Sequence, residues 1–293
     1  EGAYHGSYDP VEVSLSSSPD NWGDELEPAR VRYAVGTPQR QIDDVLVLPF
    51  NNIEASVALI DRHADKLAAI IVDPVPPRVG FLPMRPEYAK ALREAATRHG
   101  AVLIFDEVAS FRVAYQGAQS ILGVQPDLTT FGKIIGGGMP VGAVGGSRAA
   151  MSVFDAAAGK PRAPHGGTFN GNPTTMAAGC ASMRLLTQDR LKSLNLLGDR
   201  ARSVINAAFS QAGVAGQATG VGSLVKIHFN NRALRDLRSV YANEQEAGRV
   251  AALHKALLNR GYLVGSGCLM AISTAQTNQE IDDLGTAVYD SLV

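Results

Sequence analysis

The chain has 293 residues, 45% hydrophobic and 19% charged, with a formal net charge of −1 at pH 7. This is a globular balance, and nothing in it favours nucleic acid or an anionic membrane through bulk charge. The two cysteines, Cys180 and Cys268, lack metal-ligand spacing and read as reduced core residues of a cytoplasmic protein; no apolar run approaches the roughly 18 residues of a membrane span.

In chain order, residues 1–44 are rich in Gly, Pro, Ser and Asp and read as loop with short extended pieces. Residues 45–49 are apolar and predict a short strand. Residues 52–66 carry Ile53, Val57 and Ile60 at helical spacing, with Asn51 or Asn52 as the cap. Residues 67–72 predict a buried strand ending at Asp73-Pro74, where Pro74, Pro76 and Pro77 forbid continuation. Residues 86–99 predict a helix with Pro86 in its first turn and Gly100 past its end. It leads into a strand over 101–105 that delivers Asp106. Strand, helix, strand is a βαβ unit, which implies a parallel sheet. The strands are continuous apolar runs, as expected when helices cover both faces.

A further strand over 128–131 delivers Lys133, followed by Gly136-Gly137-Gly138 and a strand-like run over 141–146. Residues 165–173 are turn-rich, and Asn172-Pro173 opens a helix to about Leu186. A second helix spans 189–212. The texture then changes: strand over 222–229, helix over 244–260, strand over 268–273, helix over 278–292. The reading is α/β: a largely parallel sheet flanked by helices, residues 1–185, with a smaller C-terminal α+β domain, residues 186–293.

Ligands of open α/β sheets sit outside the carboxyl ends of the strands, so Asp106 and Lys133 mark the candidate site. Lys133 lies between Phe131 and Ile134-Ile135, a poor place for a solvent-seeking ammonium. Partial desolvation there would leave an amine able to attack a carbonyl. A buried Asp106 needs a cationic partner, and a protonated pyridine nitrogen would be one. Competing chemistries lack their motifs: there is no GxxxxGK[ST], no GxGxxG in a strand-to-helix setting and no GxSxG. His63, His99, His228 and His254 lack zinc-site pairing, so no metal is expected.

The segments LIFDEV, FRV and GVQPDLTTFGKIIGGGMPVGAVGG, with EGAYHG, PFNNIEA, IIVDP and GGTFNGNPTTMAAG in order, resemble class III aminotransferases, particularly the branch with glutamate-1-semialdehyde 2,1-aminomutase. The resemblance covers nearly the whole chain. It implies a fold-type-I enzyme dependent on pyridoxal 5'-phosphate, moving an amino group between an amino acid or amine and a keto acid or aldehyde. Lys133 would bond the cofactor aldehyde and shuttle a proton, and Asp106 would pair with the pyridinium nitrogen. Val108 and Tyr4 would pack on the two ring faces. Thr168 would donate to the phosphate across a homodimer interface with shared sites. His5, by neighbourhood, and Arg112, as a carboxylate partner, are candidate substrate residues. The aminomutase reaction, an intramolecular transfer, is the alternative; a truncated non-catalytic homologue is the second.

Two departures from the family pattern stand out. Asp73-Pro74 replaces Glu-Pro, and Pro77-Arg78 replaces a Gly-Asn pair, which alters the wall of the site. Family members also carry a long part before the EGxYHG block, including a Ser-Gly-Thr-type loop at a helix N-terminus that supplies most phosphate donors. The resemblance therefore implies that this chain is a fragment of a longer protein.

Overall fold

The computed structural model describes residues 1–157 and 159–293. Its helices are α1 (Gln39–Asp43), α2 (Ile53–Arg62), α3 (Pro86–His99), α4 (Ala118–Leu122), α5 (Arg148–Met151), α6 (Pro173–Leu185), α7 (Gln188–Gln211), α8 (Leu237–Val240), α9 (Glu244–Asn259) and α10 (Asn278–Leu292). Strands β1 (Ala69–Val72), β2 (Val102–Asp106), β3 (Leu128–Gly132) and β4 (Gly142–Gly146) form one sheet in that order. A second sheet has the order β5 (Gln217–Thr219), β6 (Leu224–His228), β7 (Leu269–Ala271). The class is α/β, with the larger sheet mixed and mostly parallel. No described helix is long and apolar enough to cross a membrane.

Local chemistry explains the principal boundaries. Asn52 caps α2 by accepting from the Ala55 amide, and Asn172 caps α6 by accepting from Thr175. Pro86 opens α3, and Gly100, at φ +69°, closes it in the left-handed region. The chain then turns directly into β2. Register is parallel from β1 through β3, pairing Ile71 with Ile104 and Asp106 with Thr130. All three carboxyl ends therefore face the same way.

β4 runs antiparallel to β3, pairing Gly132 with Gly142. The connection, residues 133–141, is too short for a crossover of about a dozen residues. That turn is pressed against α6 by an approach only glycine allows. A Cβ on Gly137 would lie 2.3 Å from the Ala178 carbonyl oxygen, and one on Gly179 would lie 2.4 Å from that of Ile135.

Two cores sit beneath the two sheets. Ile70, Leu103, Phe105, Tyr88 and Leu92 centre the first, which also takes Leu237 and Val240 from α8. Ile205, Phe209, Val225, Ile227, Leu257 and Ile281 centre the second. Three expectations need correction. Residues 45–49 are extended but join no ladder among the described residues. Residues 217–219, to which the sequence reading assigns no element, form β5. Cys180 is exposed, because α6 turns it outward, whereas Cys268 is buried as expected.

Gly179→Ala should gain about 1 kcal/mol of helix propensity yet lose net stability by about 1–3 kcal/mol, because its Cβ meets backbone rather than a side chain. Urea denaturation of the pair measures the sign; a stabilised variant would show that the 133–137 turn is not seated as described.

Candidate active site

The shared carboxyl edge of β1, β2 and β3 brings Asp73, Asp106 and Lys133 together: β1 runs into Asp73, β2 ends at Asp106, and Lys133 follows β3. Asp106 is 5% exposed. Its Oδ2 lies 2.7 Å from His5 Nδ1, and its Oδ1 accepts from the Val108 amide at 3.1 Å and the Thr130 hydroxyl at 3.0 Å. Burial pushes this carboxyl up. The hydrogen bond and charge of His5, with the other two donors, outweigh burial and hold it below the ordinary carboxylate value. A carboxylate offers about four acceptor positions; three are used, and one is left for a further donor.

His5 thus belongs to Asp106, a partnership the sequence suggests only as neighbourhood. Tyr4, next to it, is 43% exposed, and its hydroxyl lies 3.0 Å from Ser7 Oγ. Val108 packs against Gly132: a Cβ on Gly132 would be 3.2 Å from Val108 Cγ1. Glycine there lets Val108 stand beside the residue that precedes Lys133.

Lys133 opens a 3-10 turn, Lys133–Gly136, at φ +48°. Few non-glycine residues occupy that region, and such strain gathers at functional sites. The expected desolvation of Lys133 is not found: its side chain is exposed. The apolar neighbours flank it in sequence, but Ile134 and Ile135 turn away with the 3-10 turn and leave the lysine on the open face of the strand ends.

Two buried acids adjoin the site that motif reasoning had not assigned. Glu107, fully buried, accepts from the Ala118 and Gln119 amides at 2.6 and 3.0 Å and anchors the turn that precedes α4. Burial raises its pKa. Asp73 is 3% exposed and accepts from the Val75 amide. Burial pushes it up to about 8, with Asp106 adding to the shift and the Val75 amide and Lys133 opposing it. The signal available in sequence was Asp73's position at a strand end, the same signal that marked Asp106.

Arg112 and Thr168 make no hydrogen bond to Asp106 or Lys133 among the described residues, and Arg112 lines a cavity of about 280 Å³ with Ile134, the neighbour of Lys133. Arg112 donates from Nε to Ser223 Oγ at 2.9 Å and from Nη2 to the Ile272 carbonyl at 2.6 Å, tying the turn after β2 to the second sheet. Thr168 sits on the exposed turn before α6, with no hydrogen-bond partner among the described residues. A cavity of about 320 Å³ beside β1 is lined by His5, Asp73, Ile70 and Tyr88. The larger surface depression, about 840 Å³, lies between residues 24–30 and α2, away from these groups.

The arrangement defines its class. The model of the aminotransferase class-III family matches residues 1–276, and the chain belongs to that family. Among relatives, it is 35% identical over 290 residues to glutamate-1-semialdehyde 2,1-aminomutase 2 of Lachnoclostridium phytofermentans, covering 97% of this chain and 65% of that protein. It superposes on an omega-transaminase from Sphaerobacter thermophilus with a TM-score of 0.96 at 47% identity, covering 100% of this chain and 66% of that one. It also matches a structure described as a transaminase with PLP bound, with a TM-score of 0.87 at 40% identity, covering 99% of this chain and 65% of that one. The chain thus spans just under two thirds of the length of each.

The pH dependence of stability tests the Asp73 environment. The folded-state value, about 8, exceeds the ordinary 3.8, so the folded chain holds a proton that the unfolded chain has released. Stability from this group is present below about pH 4 and is lost as pH rises toward about 8. Asp73→Asn should flatten the decline between pH 5 and pH 8 by more than about 1 kcal/mol, read from urea midpoints. Parallel declines in wild type and variant would remove Asp73 as the titrating group.

Proposed function

We propose that this chain carries the reaction centre of a pyridoxal-phosphate-dependent aminotransferase, moving an amino group between an amino acid or amine and a keto acid or aldehyde. One observation carries the reading: a carboxylate held ionised by three donors, with an acceptor position to spare, shares a sheet edge with a lysine. A protonated pyridine nitrogen fits that position. Bound there, pyridoxal phosphate supplies an aldehyde and an electron-withdrawing ring that takes up the electron pair of a substrate Cα–H bond.

The chain's own residues do the rest. Asp106 holds the proton on the ring nitrogen, and His5 holds Asp106. Lys133 is the residue that would hold the cofactor through its aldehyde, and its Nζ, when free, would take a proton from the substrate Cα and return one nearby. Val108 and Tyr4 bound the two faces of the ring. The phosphate falls to Thr168, whose exposed position suits donation into a second copy's site, in a homodimer with shared centres. We read residues 1–185 as the cofactor-binding part and 186–293 as the small C-terminal part, a division supported by the core around Ile205, Ile227 and Ile281, all of whose residues follow 185. The cysteines, unpaired in the structure, suit a cytoplasmic setting.

The aminomutase relative motivates a second reading, in which the same residues move the amino group within one molecule. Release of a free keto product to an external acceptor separates the two.

Mixed with pyridoxal phosphate, the protein should develop a visible absorbance band that Lys133→Ala removes, together with at least a 100-fold loss of amino transfer, on the order expected for a lost acid-base group. Asp106→Asn should keep the band and lose transfer by roughly 100-fold or more. Identical spectra for wild type and Lys133→Ala would end this reading.

A further inference from the structure

Arg78, one of the two departures from the family pattern, stands in the turn that follows β1 and Asp73. Its guanidinium carbon lies 5.6 Å from the Tyr33 ring centroid and 6.0 Å from that of Tyr4. Nη1 donates to Ser16 Oγ at 2.6 Å. Its Nε and Nη2 make no hydrogen bond, and no acid pairs with it, among the described residues. Several other arginines do meet an acid: Arg93 meets Asp127, Arg200 meets Asp282, and Arg232 meets Glu246. A guanidinium steadied by two aromatic faces, with part of its donor fork free, is prepared for a planar anion.

A second cation approaches from the other sheet. Lys226, on β6, is half-buried and makes no ion pair or hydrogen bond among the described residues. Burial lowers its pKa, and the charge of Arg78 lowers it further. His228, on the same strand, adds no charge, because burial and then Lys226 and Arg232 push it down to about 3. Arg78 and Lys226, neither paired with an acid among the described residues, repel one another at a cost that an anion would offset.

The seam is also fixed in place. Thr219 Oγ1 donates to the Gly80 carbonyl at 2.6 Å, so His228 Nε2, 2.8 Å away, is the donor to that hydroxyl. This pins the turn carrying Arg78 to the strands carrying Lys226. The turn borders the reaction centre on two sides. Tyr4 adjoins His5, the partner of Asp106, and Asp73 lies within the field of Lys133.

We propose that Arg78, backed by Lys226, binds the carboxylate of the substrate amino acid or keto acid, a role that rests on the aminotransferase reading. Arg112 gives Nε and Nη2 to Ser223 and Ile272, whereas Arg78 keeps its Nε and Nη2 free for a carboxylate. The site then favours carboxylate-bearing donors over simple amines.

β-Phenylalanine and 1-phenylethylamine share the phenyl and amine and differ in the carboxylate arm. The ratio of kcat/KM for the two donors should fall by about 10- to 100-fold in Arg78→Ala, mainly through KM for β-phenylalanine, with partial recovery in Arg78→Lys. Independently of turnover, calorimetry with 3-phenylpropanoate should show binding to the wild-type chain that weakens by a similar factor in Arg78→Ala. An unchanged donor ratio overturns the proposal, as does 3-phenylpropanoate bound equally by both proteins or by neither. If no donor is turned over and no visible band forms, the aminotransferase reading fails, and the calorimetry alone decides whether Arg78 is an anion site.

Discussion

A carboxylate buried at a strand end must be given donors or surrender its charge, and Asp106 is given three. Two come from nearby backbone and a neighbouring strand: the Val108 amide and the Thr130 hydroxyl. The third, His5, comes from the far start of the chain and has to be held there. Glu1 does part of that work: its backbone nitrogen donates to the Leu48 carbonyl, and its carboxylate meets Arg238 at 3.2 Å. The Gly2 amide donates to the Ser14 carbonyl. The irregular first segment therefore carries one of the donors that hold Asp106 ionised.

The second layer closes on this arrangement through polar contacts and through a small shared apolar cluster, in which Val75, Phe81 and Val113 meet Leu224 and Leu269. Arg112 reaches Ser223 and Ile272, Asn195 Nδ2 donates to the Val113 carbonyl at 2.7 Å, and Thr219 donates to Gly80. Each of these touches a turn that follows β1 or β2. The small sheet thereby fixes the turns around the strand ends, and α8 adds Leu237 and Val240 to the first core.

Much of this was legible in the sequence. The caps of α2, α3 and α6 were readable because each depends on one residue acting on its immediate neighbours. The strand end at Asp106 was readable because a continuous apolar run stops there, and the one before Lys133 because the short LTTF strand ends at a glycine. What escaped depends on contacts distant in sequence. The direction of β4 follows from the brevity of residues 133–141, not from any pattern within the strand. The exposure of Lys133 follows from where its 3-10 turn points. β5 is short and owes its strand character to pairing with β6. His5 at Asp106 and Lys226 opposite Arg78 are pairings between remote segments, and no local spacing encodes them.

The account rests on Asp106 keeping a ring nitrogen protonated. The most direct measurement is the ring-nitrogen resonance of pyridoxal phosphate labelled with ¹⁵N at that position, bound to the protein at pH 8. With Asp106 ionised and braced by His5, the resonance should sit at the protonated pyridinium position in the wild type and move to the unprotonated position in Asp106→Asn. An unprotonated resonance in the wild type would contradict the account.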